Sequence, residues 1–175
     1  MIFHETAIPG AFLIELDRYR DERGSFARSF CAREFEEHSL SPVVAQCNVS
    51  TNRLRGTLLG MHSQEGRPEA KLIRCTRGAL YDVILDLRPD SAAHGKHVGV
   101  ELRQGDGRLL YVPGGVFHGF LTLEDDTEVF YQMSEFYRPG AAVGVRWNDP
   151  AFGIAWPEKV RVISERDASY SDWSG

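Results

Sequence analysis

Apolar and polar residues alternate with a period of two in one short run after another along this chain. The clearest run is ALYDVILDLR at 79–88, where Leu80, Val83, Leu85 and Leu87 mix with Asp82 and Asp86. Others fall at 12–17, 43–50, 72–76, 98–102, 109–112, 120–123 and 128–136. They are rich in β-branched and aromatic residues, and Gly, Pro, Asp or Asn divides them at intervals of about 8–12 residues. Arg77-Gly78, Gln104-Gly105-Asp106-Gly107 and Pro113-Gly114-Gly115 supply turn chemistry at three of the junctions. Only AREFEEH at 32–38 has helical spacing, and it is barely two turns long. The tail after Trp156 is polar without a strong period, which leaves a short helix or an ordered arm. The pattern predicts an all-β sandwich or barrel of jelly-roll type with a few short helices, one domain over residues 1–175.

Composition narrows the classes. With 42% hydrophobic and 26% charged residues the chain is ordinary globular material, able to bury a core. Twenty Lys and Arg against 25 Asp and Glu leave a net charge of −5, the wrong sign for a nucleic-acid partner. No apolar run approaches a membrane span, and MIFHETAIPG does not read as a secretory signal. Cys31, Cys47 and Cys75 are widely spaced and odd in number, which reads as reduced thiols in the cytoplasm. Cys47 and Cys75 fall in predicted strands, where a small buried hydrophobe is the ordinary role. Glu124-Asp125-Asp126 reads as a solvated turn.

Among six histidines, His62 and His118 stand out. The first ends the apolar stretch LLGMH; the second follows the turn PGGVFHG and precedes FLTL. Any one histidine is more often a satisfied or surface residue than a functional one, but a pair at neighbouring strand ends in a barrel mouth is a candidate site. A metal centre is disfavoured: Glu65 and Glu69 follow His62, yet no second histidine comes before His94, and His94 and His97 flank a turn. No Gly-x-Ser-x-Gly elbow, CxxC pair or phosphate-cradling glycine motif is present. Proton transfer remains, with His62 as base, Tyr131 as phenolic acid, Lys71 as electrostatic stabiliser and Asp167 to orient the imidazole. Spacing alone leaves Tyr131 equally a core aromatic and Lys71 an ordinary rim lysine.

Several segments taken in order change that balance. DERGSF at 21–26, QCNVS at 46–50, GTLLGMHSQ at 56–64 and AKLIRCTRGALYDVILDLRPDS at 70–91 are followed by PGGVFHGF at 113–120. VFYQMSEFY at 129–137, VRWNDP at 145–150 and ISERD at 163–167 complete the set. Together they resemble the dTDP-4-dehydrorhamnose 3,5-epimerases, nucleotide-sugar epimerases with a cupin-like jelly roll. The resemblance implies a homodimer that acts on a nucleotide-sugar substrate and needs no cofactor or metal. It places the base at His62, its carboxylate partner at Asp167, the tyrosine acid at Tyr131 and the lysine before the family's L-V-R strand at Lys71. Substrate-binding positions fall on Arg23, Gln46, Asn48, Lys71, His118, Arg28 and Arg166.

The same resemblance exposes departures. Leu59 stands where the family motif R-G-L-H has arginine, Arg28 and Ala142 where it has glutamates, and Gln132 and Arg166 where it has lysines. The proton-transfer set is retained while the nucleotide-holding set is altered. This implies an epimerase whose nucleotide, sugar or number of inverted centres differs from the parent activity. A mono-epimerase, or an epimerase of a CDP- or GDP-linked sugar, is the nearest alternative. A catalytically silent sugar-binding cupin and a metal-dependent cupin are the rivals from other classes.

Overall fold

The computed structural model describes residues 1–174. Its elements in chain order are β1 (Ile2–Glu5), β2 (Phe12–Glu15), β3 (Arg18–Asp21), β4 (Gly24–Ala27) and α1 (Ala32–Glu37). There follow β5 (Gln46–Asn52), β6 (Thr57–Gln64), β7 (Lys71–Arg77), β8 (Ala79–Asp86) and β9 (His97–Arg103). The rest are β10 (Arg108–Val112), β11 (Val116–Thr122), β12 (Thr127–Met133), β13 (Ala142–Gly144), β14 (Val162–Ile163) and α2 (Glu165–Ala168).

Twelve of the fourteen strands form two six-stranded layers, and β3 and β4 make a separate hairpin. One runs β1-β2-β10-β7-β12-β5; the other runs β13-β6-β11-β8-β9, with β14 added parallel to β6. Every other pairing is antiparallel. Ile73, Leu110, Val112 and Val129 of the first layer meet Leu80, Ile84, Leu102, Val116 and Phe120 of the second in a shared core. This is the jelly roll that the alternation predicted, of the cupin-like kind that the resemblance implied.

Each layer is also covered on its outer face. Phe35 of α1 packs with Ile14, Leu72, Leu109 and Tyr111 behind the first sheet. Val145 and Phe152 cover Met61, Val83 and Leu85 behind the second. Strand β8 is therefore buried on both faces, and its alternation divides two apolar environments rather than core from water.

The predicted runs all become strands, with shifted ends. The run at 43–50 becomes Gln46–Asn52, that at 120–123 starts four residues earlier at Val116, and that at 128–136 stops at Met133. His97 opens β9 instead of sitting in the turn with His94. Cys75 is buried as predicted, but Cys47 is exposed, because β5 is the edge of its sheet. β1, the β3–β4 hairpin, β6, β13 and β14 went unpredicted; RYRD and GSFA are too short and polar to announce a hairpin. The tail supplies both a strand and the four-residue α2.

Candidate active site

His62 owes its position to a break in strand pairing. His118 on β11 lies opposite His62, yet two residues further on Phe120 lies opposite Leu59, three residues back on β6. One extra residue is accommodated in β6, and such a bulge re-aims the side chains beside it. Leu59 and His62 consequently both line the same cleft, although they are three apart. Gly60 permits the close approach: its φ is +115°, and a Cβ there would sit 2.5 Å from Gly119 Cα.

The cleft, about 350 Å³, opens between the two sheets. The second sheet contributes Leu59, His62, Gln64, His118 and Phe120; the first contributes Asn48, Ser50, Lys71, Tyr131 and Met133. Glu69, Tyr137, Ala142 and Arg166 close the rim.

Asp167 reaches the site from α2. Ser164 caps that helix, its Oγ accepting from the Asp167 amide at 3.0 Å. The buried carboxylate then takes two donors. Its Oδ1 lies 2.7 Å from His62 Nε2, and its Oδ2 accepts the Gly60 amide at 3.1 Å. A carboxylate can only accept, so Nε2 carries the proton and Nδ1 keeps its lone pair.

A second imidazole–carboxylate contact lies deeper. His118 Nε2 stands 2.8 Å from Asp82 Oδ1, and Asp82 is wholly buried. The contact is too poorly aligned for a full hydrogen bond, and no other polar group reaches either oxygen of Asp82. Burial pushes the Asp82 carboxyl up, and the attraction of His118 pulls it part of the way back. The His118 and Tyr131 rings meet edge to face at 6.1 Å. Burial, with the charge of Asp82 adding to it, raises the Tyr131 phenol well above the ordinary tyrosine range. Tyr131 is thereby kept as a protonated donor.

Glu69 precedes the start of β7 by two residues, and both Glu69 and Lys71 line the cleft. Glu69 Oε1 is 2.7 Å from Lys71 Nζ, with both side chains one-tenth exposed. Arg166 donates from Nε to Tyr170 Oη and from Nη2 to the Ala142 carbonyl, each at 3.0 Å.

Of the expected site residues, the cleft brings together His62, Tyr131, Lys71, His118, Asn48 and Arg166, and Asp167 is hydrogen-bonded to His62 without lining it. Three proposed binding residues lie outside it. Gln46 instead accepts the Tyr137 amide at 2.8 Å through Oε1 and steadies that part of the rim. Arg23 pairs with Asp21 in the β3–β4 hairpin, and Arg28 pairs with Glu34 at 3.0 Å. Of the departures, Leu59 and Ala142 line the cleft, whereas Gln132 does not. Asp82 and Glu69 were missed as site residues. The first looked like the solvated half of an alternating strand; the second was weighed only as a metal ligand. Among the described residues no group of three or more His, Cys, Asp or Glu gathers as a metal site would.

Comparisons with known proteins give the family. Residues 5–174 fit the family model described as dTDP-4-dehydrorhamnose 3,5-epimerase. The enzyme of that name from Methanothermobacter thermautotrophicus is 39% identical over 171 residues, covering 96% of this chain and 92% of the relative. A crystal structure of the Bacillus anthracis enzyme with TDP and PPi bound superposes with a TM-score of 0.93 at 35% identity, covering 98% and 99% of the two chains. ChmJ, a 3'-monoepimerase from Streptomyces bikiniensis solved with dTDP-quinovose, gives 0.89 at 32% identity, covering 97% and 86%. With the fold, the sequence and the cleft in accord, the chain belongs to the dTDP-4-dehydrorhamnose 3,5-epimerase family.

Proposed function

We propose that this chain is a cofactor-independent epimerase of a nucleotide-linked 4-keto-6-deoxy sugar, with the dTDP-linked sugar as its substrate and C3 and C5 as the inverted centres. A 4-keto group acidifies the hydrogens on both neighbouring carbons, and removing either gives an enolate. His62 Nδ1 takes the proton, and Asp167 holds the tautomer and stabilises the imidazolium that forms. Lys71 and His118 offset the charge that develops on the C4 oxygen. Tyr131 returns a proton to the opposite face and inverts the centre. The observation that carries this reading is the placement of His62 and Tyr131 on facing sheets across one cleft, a base opposite an acid. A silent sugar-binding module has no use for that arrangement.

The working unit in this reading is a cytoplasmic homodimer. Hairpin β3–β4 pairs with no other strand, exposes Tyr19 and Phe26, and carries Arg23 away from its own cleft. An arm of that kind suits a second copy, where Arg23 and Arg28 would meet the nucleotide. Three free thiols suit a reducing compartment.

Leu59 and Ala142 favour a second reading in the same class, a mono-epimerase or an enzyme for another nucleotide, because both put apolar surface on the cleft wall. Incubation in deuterated water with 4-keto-6-deoxyglucose linked to dTDP, CDP or GDP tests both. Deuterium at C3 and C5 of the dTDP-linked sugar is expected. Label at one carbon only, or on another nucleotide's sugar only, selects the second reading. No label on any sugar overturns both.

A further inference from the structure

We infer that Glu69 is a positioning residue for the epimerisation, holding the Lys71 ammonium where the enolate oxygen forms; this rests on the proposed reading of the cleft. Lys71 begins β7, where Lys71, Ile73 and Cys75 face between the sheets while Ala70 and Leu72 pack outward with Phe35. Glu69, two residues before Lys71 and outside the strand, opens onto the same cleft. Its Oε1 is 2.7 Å from Lys71 Nζ. Asp82 and Asp167 are already engaged with His118 and His62, and among the described residues Glu69 is the one carboxylate that lines the cleft.

Two features make the pair more than a chance contact. A lysine ammonium sits on a flexible four-carbon stem and holds no fixed place unless something restrains it. A solvent-exposed ion pair restrains it poorly, but here both side chains are one-tenth exposed, so water competes weakly. Substrate entry would remove that remaining water and strengthen the restraint at the moment charge moves onto the C4 oxygen. Lys71 has three N–H donors, so one can serve Glu69 while another meets the oxygen. The carboxylate works against enolate formation by its own charge, so its benefit must come through placement of Lys71. That condition is what separates this role from others by experiment.

The test is a double-mutant cycle of Glu69→Gln and Glu69→Ala in the parent and in Lys71→Met, read as deuterium incorporation into dTDP-4-keto-6-deoxyglucose. Glu69→Gln keeps an acceptor and is expected to lower kcat about tenfold; Glu69→Ala, which frees the ammonium, should lower it about a hundredfold, the scale of an ångström-sized misplacement. KM should stay within about threefold, since a group that only places Lys71 for the developing charge acts on the transition state rather than on uniform binding. Against Lys71→Met, whose residual exchange is followed over long incubation, both Glu69 substitutions should have no further effect. Equal losses in the two backgrounds would overturn the inference, making Glu69 a base or a structural support in its own right. Unchanged kcat in Glu69→Ala would overturn it as well. A parent protein that labels no sugar would instead overturn the reading beneath it, and circular dichroism of each variant separates these outcomes from misfolding.

Discussion

One carboxylate ties His62 to the bulge that aims it: Asp167 accepts from the imidazole Nε2 through Oδ1 and from the Gly60 amide through Oδ2. Ring tautomer and local backbone are thus fixed by the same group, itself fixed by the Ser164 cap.

Asp167→Asn should therefore disarm the base without removing it. An amide can donate to Nε2, which would shift the ring proton to Nδ1, the nitrogen that must accept. Solvent deuterium exchange is expected to fall by roughly 10²–10⁴, as for His62→Ala, with the double variant little worse than either. Full additivity of the two losses would show that Asp167 acts separately from His62.

Tyr131→Phe should split exchange from inversion. Without the phenol, a proton removed by His62 returns to the face it left, so label enters slowly and little epimer accumulates. NMR of the sugar ring in deuterated water measures both at once. Equal loss of exchange and inversion would place Tyr131 in deprotonation or binding.

Leu59→Arg addresses the nucleotide. Leu59 puts apolar surface on the cleft wall, where Arg166 is the one guanidinium among the described residues that line it. On the dTDP-linked reading, titration calorimetry finds dTDP bound at least as tightly as CDP, GDP or UDP; weaker binding of dTDP than of one of these selects the second reading. An added charge-assisted contact of about 1.5–3 kcal/mol should raise dTDP affinity roughly tenfold to a hundredfold in Leu59→Arg. Tight dTDP binding by the parent, unchanged by the substitution, would set the second reading aside.

Asp86 gives a stability test remote from the chemistry. Burial alone would push its carboxyl up, but hydrogen bonds from Arg88 and Ser91 outweigh that and hold it below the ordinary aspartate value. A depressed folded-state pKa stabilises the fold above the unfolded value, and that contribution is lost as pH falls through the folded value. Urea unfolding should find Asp86→Asn less stable than the parent at pH 7, by about 1.5–3 kcal/mol. The gap should close on acidification below about pH 3.9, the free aspartate value.

The runs at 72–76 and 109–112 showed their strands plainly, because each carries β-branched or aromatic residues between clear turn signals. β6 did not. Its alternation is broken at Gly60 by the bulge, so the segment that aims His62 looked like an apolar stretch without a period. Asp82 misled for another reason. In a strand packed on both faces, an aspartate flanked by Tyr81 and Val83 reads as the wet side, yet it lies inside, under His118. His62, His118 and Lys71 were visible as candidates by type and neighbourhood. Tyr131 and Asp167 were candidates by side-chain type alone, and the ordered resemblance was what singled them out, since nothing local marks a tyrosine in VFYQMSEFY or an aspartate in SERD as chemical.

In the proposed reading the base belongs to one sheet and the acid to the other, so catalysis depends on the spacing of the whole sandwich. Slackening between the layers, by heat, denaturant or a cavity made among Ile73, Ile84 and Phe120, would part His62 from Tyr131 while leaving each strand pairing intact. Turnover would then serve as a gauge of inter-sheet distance. Its loss would come at, or slightly ahead of, the melting of secondary structure, and no fragment holding a single sheet would retain any of it.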